Sequence, residues 1–228
     1  YAWKFVQTKR VFVKFDYKEF QPALRSAIKM SMVVFLGVLT TQLDRILLSG
    51  MVPIKQFGFY VIASAVSQGV LGLIQPFVQA LAPSIMQSHD DEKTLHTLNV
   101  RLTKIIGGIV LIGSALFLVG GKWILNVWMG DSQAVEIMYP LLSILLIGSV
   151  LNAFYHVGYY NWLAKHRADR ILLVNAAGLL LTLLITPSLI QWKGMIGATF
   201  GFVAMNLVSL CVSLEWMKKQ SATKKAKY

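Results

Sequence analysis

The sequence predicts an all-α, polytopic membrane protein with six transmembrane helices. Its 228 residues are 56% hydrophobic and only 14% charged, whereas a soluble domain carries about 25% charged residues. The charges are also segregated into short segments between charge-free runs. Six of these runs are long enough to cross a bilayer, which takes about 20 apolar residues. The predicted spans are about 31–49, 57–86, 105–127, 140–163, 171–190 and 195–216.

The basic residues predict which end of the bundle faces the cytoplasm. With the N-terminus in the cytoplasm, 18 of the 22 Lys and Arg residues fall on that side, which is the positive-inside asymmetry of multi-pass membrane proteins. An even number of spans places both termini in the cytoplasm. The formal net charge of +12 therefore predicts contact with anionic membrane lipids and not with nucleic acid. The four basic residues on the other side are Arg45, Lys55, Lys122 and Lys193.

Residues 1–29 predict a cytoplasmic amphipathic connector that lies on the membrane surface and leads into the first span. Apolar side chains recur there near helical spacing, and Pro22 suits a first helical turn. A loosely ordered linker is the alternative. The recurring apolar residues are Tyr17, Phe20, Leu24 and Ile28.

The remaining elements follow in order. The second span is long for one crossing, so Pro76 and Pro83 are predicted to kink or end it. A polar connection leads to the third span, and an external loop with Asp131 and Glu136 leads to the fourth. Tight turns separate the last three spans. Gly197 and Gly201 suit a helix–helix contact in the sixth span, and residues 217–228 form a basic cytoplasmic tail.

Asp44 and Arg45 are the first candidate site, because they are the only charges between Lys29 and Lys55. A charge at the centre of a membrane helix costs roughly 2.5–3.5 kcal/mol on insertion scales. Together with Gln42 they predict a water-filled cavity, where Asp44 binds a cation or a sugar hydroxyl and Arg45 holds a phosphate. The alternative is that both mark the solvated external end of the span. A helix starting at residue 31 reaches Asp44 after only about 20 Å, which favours the cavity.

Amides form a second candidate site in the second span. Gln68, Gln75 and Gln79 share one helical stripe, which predicts the wall of a path for a sugar. Hydrogen bonding between helices is the alternative interpretation.

The fourth span carries a third candidate site. Asn152, His156, Tyr159 and Tyr160 fall on one helical face, where aromatic rings can stack on sugars and polar groups can bond them. An aromatic belt at the interface is the alternative for the tyrosines. His156 is interpreted as a satisfied polar core residue, with a proton relay as the alternative. Asn175 and Asn206, isolated amides in the last two spans, are predicted to serve packing.

The sequence contains no recognisable catalytic motif. It has no Walker loop, no nucleophile elbow and no metal-ligand set, and its single cysteine, Cys211, lies in an apolar run. We therefore predict a protein that is not an enzyme and that uses no metal or other cofactor.

One stretch resembles a known family. The segment TTQLDRILLSGMVPIKQFGFYVIASAVSQGVLGLIQPFVQALAPSIMQ is similar to the start of the second half of Wzx-type polysaccharide flippases. These belong to the MOP superfamily, which includes MATE multidrug transporters and the lipid II flippase MurJ. The sharpest match is QLDRILLSG, followed by FGFYVIA and, after the third span, WMGD. The resemblance covers about residues 25–215.

The resemblance implies a two-lobe transporter of which this chain is the C-terminal lobe, with residues 1–29 as the inter-lobe connector. Such flippases move undecaprenyl-diphosphate-linked oligosaccharides across the bacterial inner membrane, from the cytoplasmic to the periplasmic leaflet, for O-antigen or capsular polysaccharide. Expected partners are the lipid-linked oligosaccharide, membrane lipids, a polysaccharide polymerase and a chain-length regulator. By this resemblance Arg45 suits the diphosphate and Asp44 a coupling cation or a sugar. The alternatives are a MATE-like cation-coupled exporter of small molecules and a non-transporting scaffold in a polysaccharide assembly complex.

Overall fold

The computed structural model describes residues 17–217 and is helical throughout that range apart from short turns. All six long helices have the length and apolar composition to cross a membrane, which confirms the predicted all-α fold of a multi-pass membrane protein. The first 16 residues of the predicted connector and residues 218–228 of the predicted tail lie outside the described part. The helices are α1 (Tyr17–Ser49), α2 (Ile54–Gln87), α3 (Glu92–Met129), α4 (Ser132–Ala164), α5 (Ala168–Lys193) and α6 (Met195–Ser213).

The helices extend beyond the predicted apolar spans. In α1 the described part of the predicted connector and the first span form one uninterrupted helix that includes Pro22. Residues 23–30 are good helix formers without a glycine or a proline, so nothing breaks the chain there. Neither Pro76 nor Pro83 ends α2, which continues to Gln87. The predicted polar connection is mostly the start of α3, whose first turn is capped by Asp91.

Helix α4 lies at the centre of the bundle. It packs against α2, α3 and α6, while α5 packs against α6 and α1. Small residues allow the closest approaches: Gly148 lies against Phe202, and Gly158 lies against Ser213. The predicted contact of Gly201 is present, because this glycine faces Thr186 of α5.

The two ends of the bundle differ in chemistry. At one end, the turns α2–α3 and α4–α5 meet the end of α6. There Lys165 pairs with Glu92 at 3.3 Å, and Arg167 and Arg170 approach Glu215 at 3.9 Å. We call this the basic end. The opposite end carries a single ion pair among the described residues, between Lys122 and Glu136.

Candidate functional site

The buried carboxylate Asp44 and the buried phenol Tyr60 join α1 to α2. The Tyr60 hydroxyl donates a hydrogen bond to Oδ2 of Asp44. Asp44 is only 3% exposed and Tyr60 is fully buried. The second carboxylate oxygen, Oδ1, is also buried and has no hydrogen-bond partner among the described residues. One oxygen of this acid thus remains free to accept a proton, a cation or a hydrogen bond.

Arg45 is held in one orientation by three hydrogen bonds. Its Nε and Nη2 donate to the Ser64 hydroxyl at 3.2 and 2.8 Å, and its Nη1 donates to Gln42 Oε1 at 3.0 Å. Gln68 Nε2 also approaches the Ser64 hydroxyl, at 3.4 Å. A guanidinium has five N–H groups, so two remain available for an anion. We call Gln42, Asp44, Arg45, Tyr60, Ser64 and Gln68 the α1–α2 cluster.

The helical geometry explains why the side chains of Asp44 and Arg45 differ in direction and in burial. Adjacent residues on a helix point about 100° apart. Asp44 therefore points into the bundle, where it is buried, while Arg45 is half-buried and reaches Ser64. They form no ion pair with each other in the part of the chain that the structure describes. The hydrogen bonds of the Arg45 guanidinium therefore go to neutral groups, the Ser64 hydroxyl and the Gln42 amide oxygen.

Of the three glutamines in the α2 stripe, only Gln68 belongs to the α1–α2 cluster. Gln68 reaches Ser64, whereas Gln75 is half-buried, Gln79 is exposed, and neither bonds a described residue. Sequence reasoning missed Tyr60 and Ser64, although the stripe itself pointed to them. Counting back four and eight residues from Gln68 gives Ser64 and Tyr60, which continue the same helical face.

A separate cavity of about 290 Å³ lies between α1, α4, α5 and α6. Asn152, His156 and Tyr159 of the predicted α4 face line it. Asn152 Nδ2 donates to Asn206 Oδ1 at 2.7 Å, and His156 Nδ1 bonds the Asn152 carbonyl oxygen at 2.8 Å. Tyr160 does not line this cavity but packs against the apolar core between α2 and α3. The structure therefore brings three of the four predicted residues to one site.

Sequence reasoning missed several residues of this cavity. Tyr155 lines it and is only 8% exposed, and its hydroxyl has no hydrogen-bond partner among the described residues. Asn175, predicted to serve packing, does bond the Val33 carbonyl oxygen at 3.1 Å, and it lines the cavity as well. Thr40 and Thr41 of α1 and Ser209 of α6 complete the polar lining. A contact between four helices leaves no local pattern that could have revealed this set.

Helix α1 lines both sites. Thr40 faces the cavity, and Asp44 of the α1–α2 cluster lies one helical turn further on. The cavity holds neutral hydrogen-bonding groups and aromatic rings, and the cluster holds one acid and one arginine. No group of three or more potential metal ligands is present among residues 17–217. The arrangement suits a ligand that is anionic at one point and rich in hydroxyl groups at another.

Comparisons with known proteins give two similarities. A family model described as "Polysaccharide biosynthesis protein" matches residues 2–135, more than half of the chain. The solved structure described as "Crystal structure of MATE in the bent conformation" superimposes with a TM-score of 0.69 over 85% of this chain, at 19% sequence identity. The chain spans 44% of the length of that MATE chain. No curated protein is similar in sequence.

Proposed function

Because the chain belongs to the polysaccharide biosynthesis protein family, we propose that it is one lobe of a MOP-type flippase for lipid-linked oligosaccharides. The cargo is an undecaprenyl-diphosphate-linked repeat unit, moved from the cytoplasmic to the periplasmic leaflet of the bacterial inner membrane. The product enters O-antigen or capsular polysaccharide. The observation that carries this proposal is Arg45, held by Ser64 and Gln42 with two N–H groups still free.

Arg45 supplies the recognition of the diphosphate in this proposal. A guanidinium binds phosphate oxygens through two parallel hydrogen bonds, and it stays charged at any physiological pH. Ser64 and Gln42 fix the plane of the guanidinium, so that little side-chain freedom is lost when the anion binds. Asp44, one residue away, has a free carboxylate oxygen that suits a coupling cation or a sugar hydroxyl.

The neutral cavity supplies the contacts with the sugar. Its volume of about 290 Å³ suits a single sugar ring, and it offers the free hydroxyl of Tyr155 together with the amides Asn152 and Asn175. The rings of His156 and Tyr159 lie 6.2 Å apart at an interplanar angle of 47°, and each offers the cavity an aromatic surface for a sugar. Gln75 and Gln79 extend the polar surface along α2 beyond the α1–α2 cluster.

The proposed mechanism is rocking of two lobes around a site between them. The chain spans less than half of the MATE structure that it resembles, and a second lobe is therefore part of the proposal. The basic end faces the cytoplasm. Transport breaks no covalent bond, so the proposal requires no catalytic residue, metal or cofactor. A polysaccharide polymerase and a chain-length regulator are the proposed partners.

The test is complementation in a host that lacks its own flippase. The full-length gene should restore surface polysaccharide, and Arg45→Ala should abolish it. Arg45→Lys should restore only part of the polysaccharide, because lysine cannot bind a phosphate group bidentately. The matched control is Arg101→Ala, which removes an exposed arginine of α3 outside both sites. Normal polysaccharide from the Arg45→Ala variant at wild-type protein levels would refute the diphosphate role.

A cation-coupled exporter of small molecules is the second candidate. The observation that favours it is the buried Asp44 with its unpartnered oxygen, together with the MATE fold. On this hypothesis Asp44→Asn abolishes cation-dependent efflux of organic cations, and Arg45→Ala has little effect. A scaffold that transports nothing predicts that both substitutions leave surface polysaccharide unchanged.

A further inference from the structure

A groove at the basic end is separate from both sites described above. It lies between the N-terminal turns of α1 and the α4–α5 turn and has a volume of about 790 Å³. Arg25 and Lys29 line it from α1, His166 from the turn, and Ala168 and Asp169 from the start of α5. About 30 Å of helix separates Arg25 from Arg45, at 1.5 Å per residue.

The two cations of this groove have no acidic partner among the residues that the structure describes. Arg25 and Lys29 are one helical turn apart on the same face, and neither forms an ion pair with a described residue. Two basic residues next to the groove do have acidic partners. Lys165 of the α4–α5 turn pairs with Glu92, and Arg170 of α5 approaches Glu215. The start of α5 also has no side-chain cap, which leaves backbone N–H groups at the groove. These features favour an anion there.

The groove opens onto an apolar surface. Leu24 and Ile28 line it and belong to an exposed stripe of α1 that continues through Met32 and Phe35. These four side chains are between 44% and 64% exposed, and they form an apolar surface on which acyl chains can pack. An anion site that continues into an apolar stripe fits an amphiphile better than a free anion.

The charge balance narrows the choice of amphiphile. Arg25, Lys29 and Asp169 together leave one net positive charge, with histidine counted as neutral. A phosphodiester carries one negative charge and matches this balance, whereas a diphosphate carries more. The carboxylate of Asp169 can also accept a hydrogen bond from a hydroxyl of the head group.

We propose that this groove binds an anionic glycerophospholipid of the surrounding membrane, of the phosphatidylglycerol type. Arg25 and Lys29 hold its phosphodiester, Asp169 accepts a hydrogen bond from its glycerol head group, and its acyl chains lie against the apolar stripe of α1. The site is distinct from the proposed substrate site, and it does not depend on the proposed transport activity.

The test measures lipid binding to the purified protein by native mass spectrometry, with dioleoyl phosphatidylglycerol as the probe. The double variant Arg25→Gln/Lys29→Gln should lose binding roughly tenfold or more, because each basic residue contributes about 1 kcal/mol near an anionic lipid. The matched control is Arg101→Gln/Lys104→Gln, the same pair of residue types on α3 outside the groove, and it should bind like the wild type. Asp169→Asn should shift the preference towards lipids with two negative charges.

Three outcomes would overturn the proposal. Equal losses in the two double variants would show unspecific attraction to the basic end. Tighter binding of undecaprenyl diphosphate than of phosphatidylglycerol would assign the groove to the substrate. Displacement of the lipid by inorganic phosphate at similar concentrations would show a site for the free anion. None of these outcomes bears on the role of Arg45, which the complementation experiment tests by itself.

Discussion

The bond between Tyr60 and Asp44 is the most buried polar contact between α1 and α2. A carboxylate this deeply buried needs its donor, because an unsatisfied buried polar group costs about 1–3 kcal/mol and a charged one more. Tyr60→Phe removes the donor and leaves the rest of the ring in place. We expect the variant to be destabilised by about 1–3 kcal/mol in thermal unfolding in detergent.

A double-mutant cycle provides the control for this prediction. In Asp44→Asn the buried charge is gone, so adding Tyr60→Phe to it should cost much less than Tyr60→Phe alone. Strictly additive losses in the double variant would show that the hydroxyl and the carboxylate do not interact.

At the scale of single residues, charged and amide side chains in the apolar helices were the part of the site that the sequence could predict. Asp44, Arg45, Gln42 and Gln68 could be predicted because charges and amides are rare and costly in apolar helices, and the structure brings these four together. Ser64 and Tyr60 could not, since hydroxyl groups are common in membrane helices and their role depends on how α2 packs against α1.

The cavity lining was still less accessible to sequence reasoning. Thr40, Tyr155 and Asn175 come from three different helices, and only the packing of those helices defines the space between them. Asn175 illustrates the difficulty, since it serves both as a packing contact and as a lining residue.

At the scale of elements, the contact between α4 and α6 depends on the absence of a side chain at Gly158. A Cβ atom there would lie 2.5 Å from Cβ and 2.6 Å from the carbonyl oxygen of Ser213, and a backbone oxygen cannot move aside cheaply. We expect Gly158→Ala to lower stability by about 1–3 kcal/mol, the cost of overpacking. Thermal unfolding in detergent measures it.

The matched control is Gly113→Ala in α3. No atom lies within 4 Å of the Cβ position at Gly113, so alanine meets open space there and gains helix propensity of about 1 kcal/mol. This variant should be as stable as the wild type or more so. Equal losses at both glycines would contradict a specific α4–α6 contact.

The cap of α3 predicts a dependence on pH. The Thr94 hydroxyl and nearby backbone N–H groups bond the Asp91 carboxylate and lower the pKa of that carboxyl below its usual value. A lowered folded-state pKa means that the cap stabilises the fold above the unfolded pKa of about 3.9 and is lost as the pH falls through the folded one. Asp91→Ala should therefore lower Tm at pH 7 and make little difference at strongly acidic pH.

The exposed neighbour Asp90 gives the control for the cap. Its carboxylate is 92% exposed and caps no helix, so Asp90→Ala should leave Tm unchanged at pH 7. A Tm difference between wild type and Asp91→Ala that persists at the lowest pH would show that charge is not the origin of the effect.

The number of helices could be predicted from the sequence, but their ends could not. Charge-free runs mark the apolar middle of each helix, whereas the ends of a helix depend on caps and turns in the polar segments. The start of α3 at Glu92, behind the cap Asp91, is one example. The continuation of α1 through Pro22 is another, because Pro22 lies inside the helix and not in the first turn that the sequence predicted for it.

At the scale of the whole molecule, the charge asymmetry predicts the orientation in the membrane. In a Cys211→Ser background, a cysteine at Gln133 lies at the end opposite the basic one, and a cysteine at Asp90 lies at the basic end. We expect an impermeant maleimide to label Gln133→Cys in cells whose inner membrane is intact, and to label Asp90→Cys only after that membrane is opened. The reverse pattern would invert the proposed topology.

Helix α1 is uninterrupted, so its two halves move together as one rigid body. Its 33 residues form a rod about 50 Å long, in which Arg25 lies about 12 Å to one side of the midpoint and Arg45 about 18 Å to the other. If the rod tilts by about 10° about its midpoint, Arg25 is displaced by about 2 Å and Arg45 by about 3 Å, in opposite directions. Since α1 is uninterrupted between these two residues, a ligand that fixes α1 at the groove of the basic end would also set the position of the guanidinium in the α1–α2 cluster.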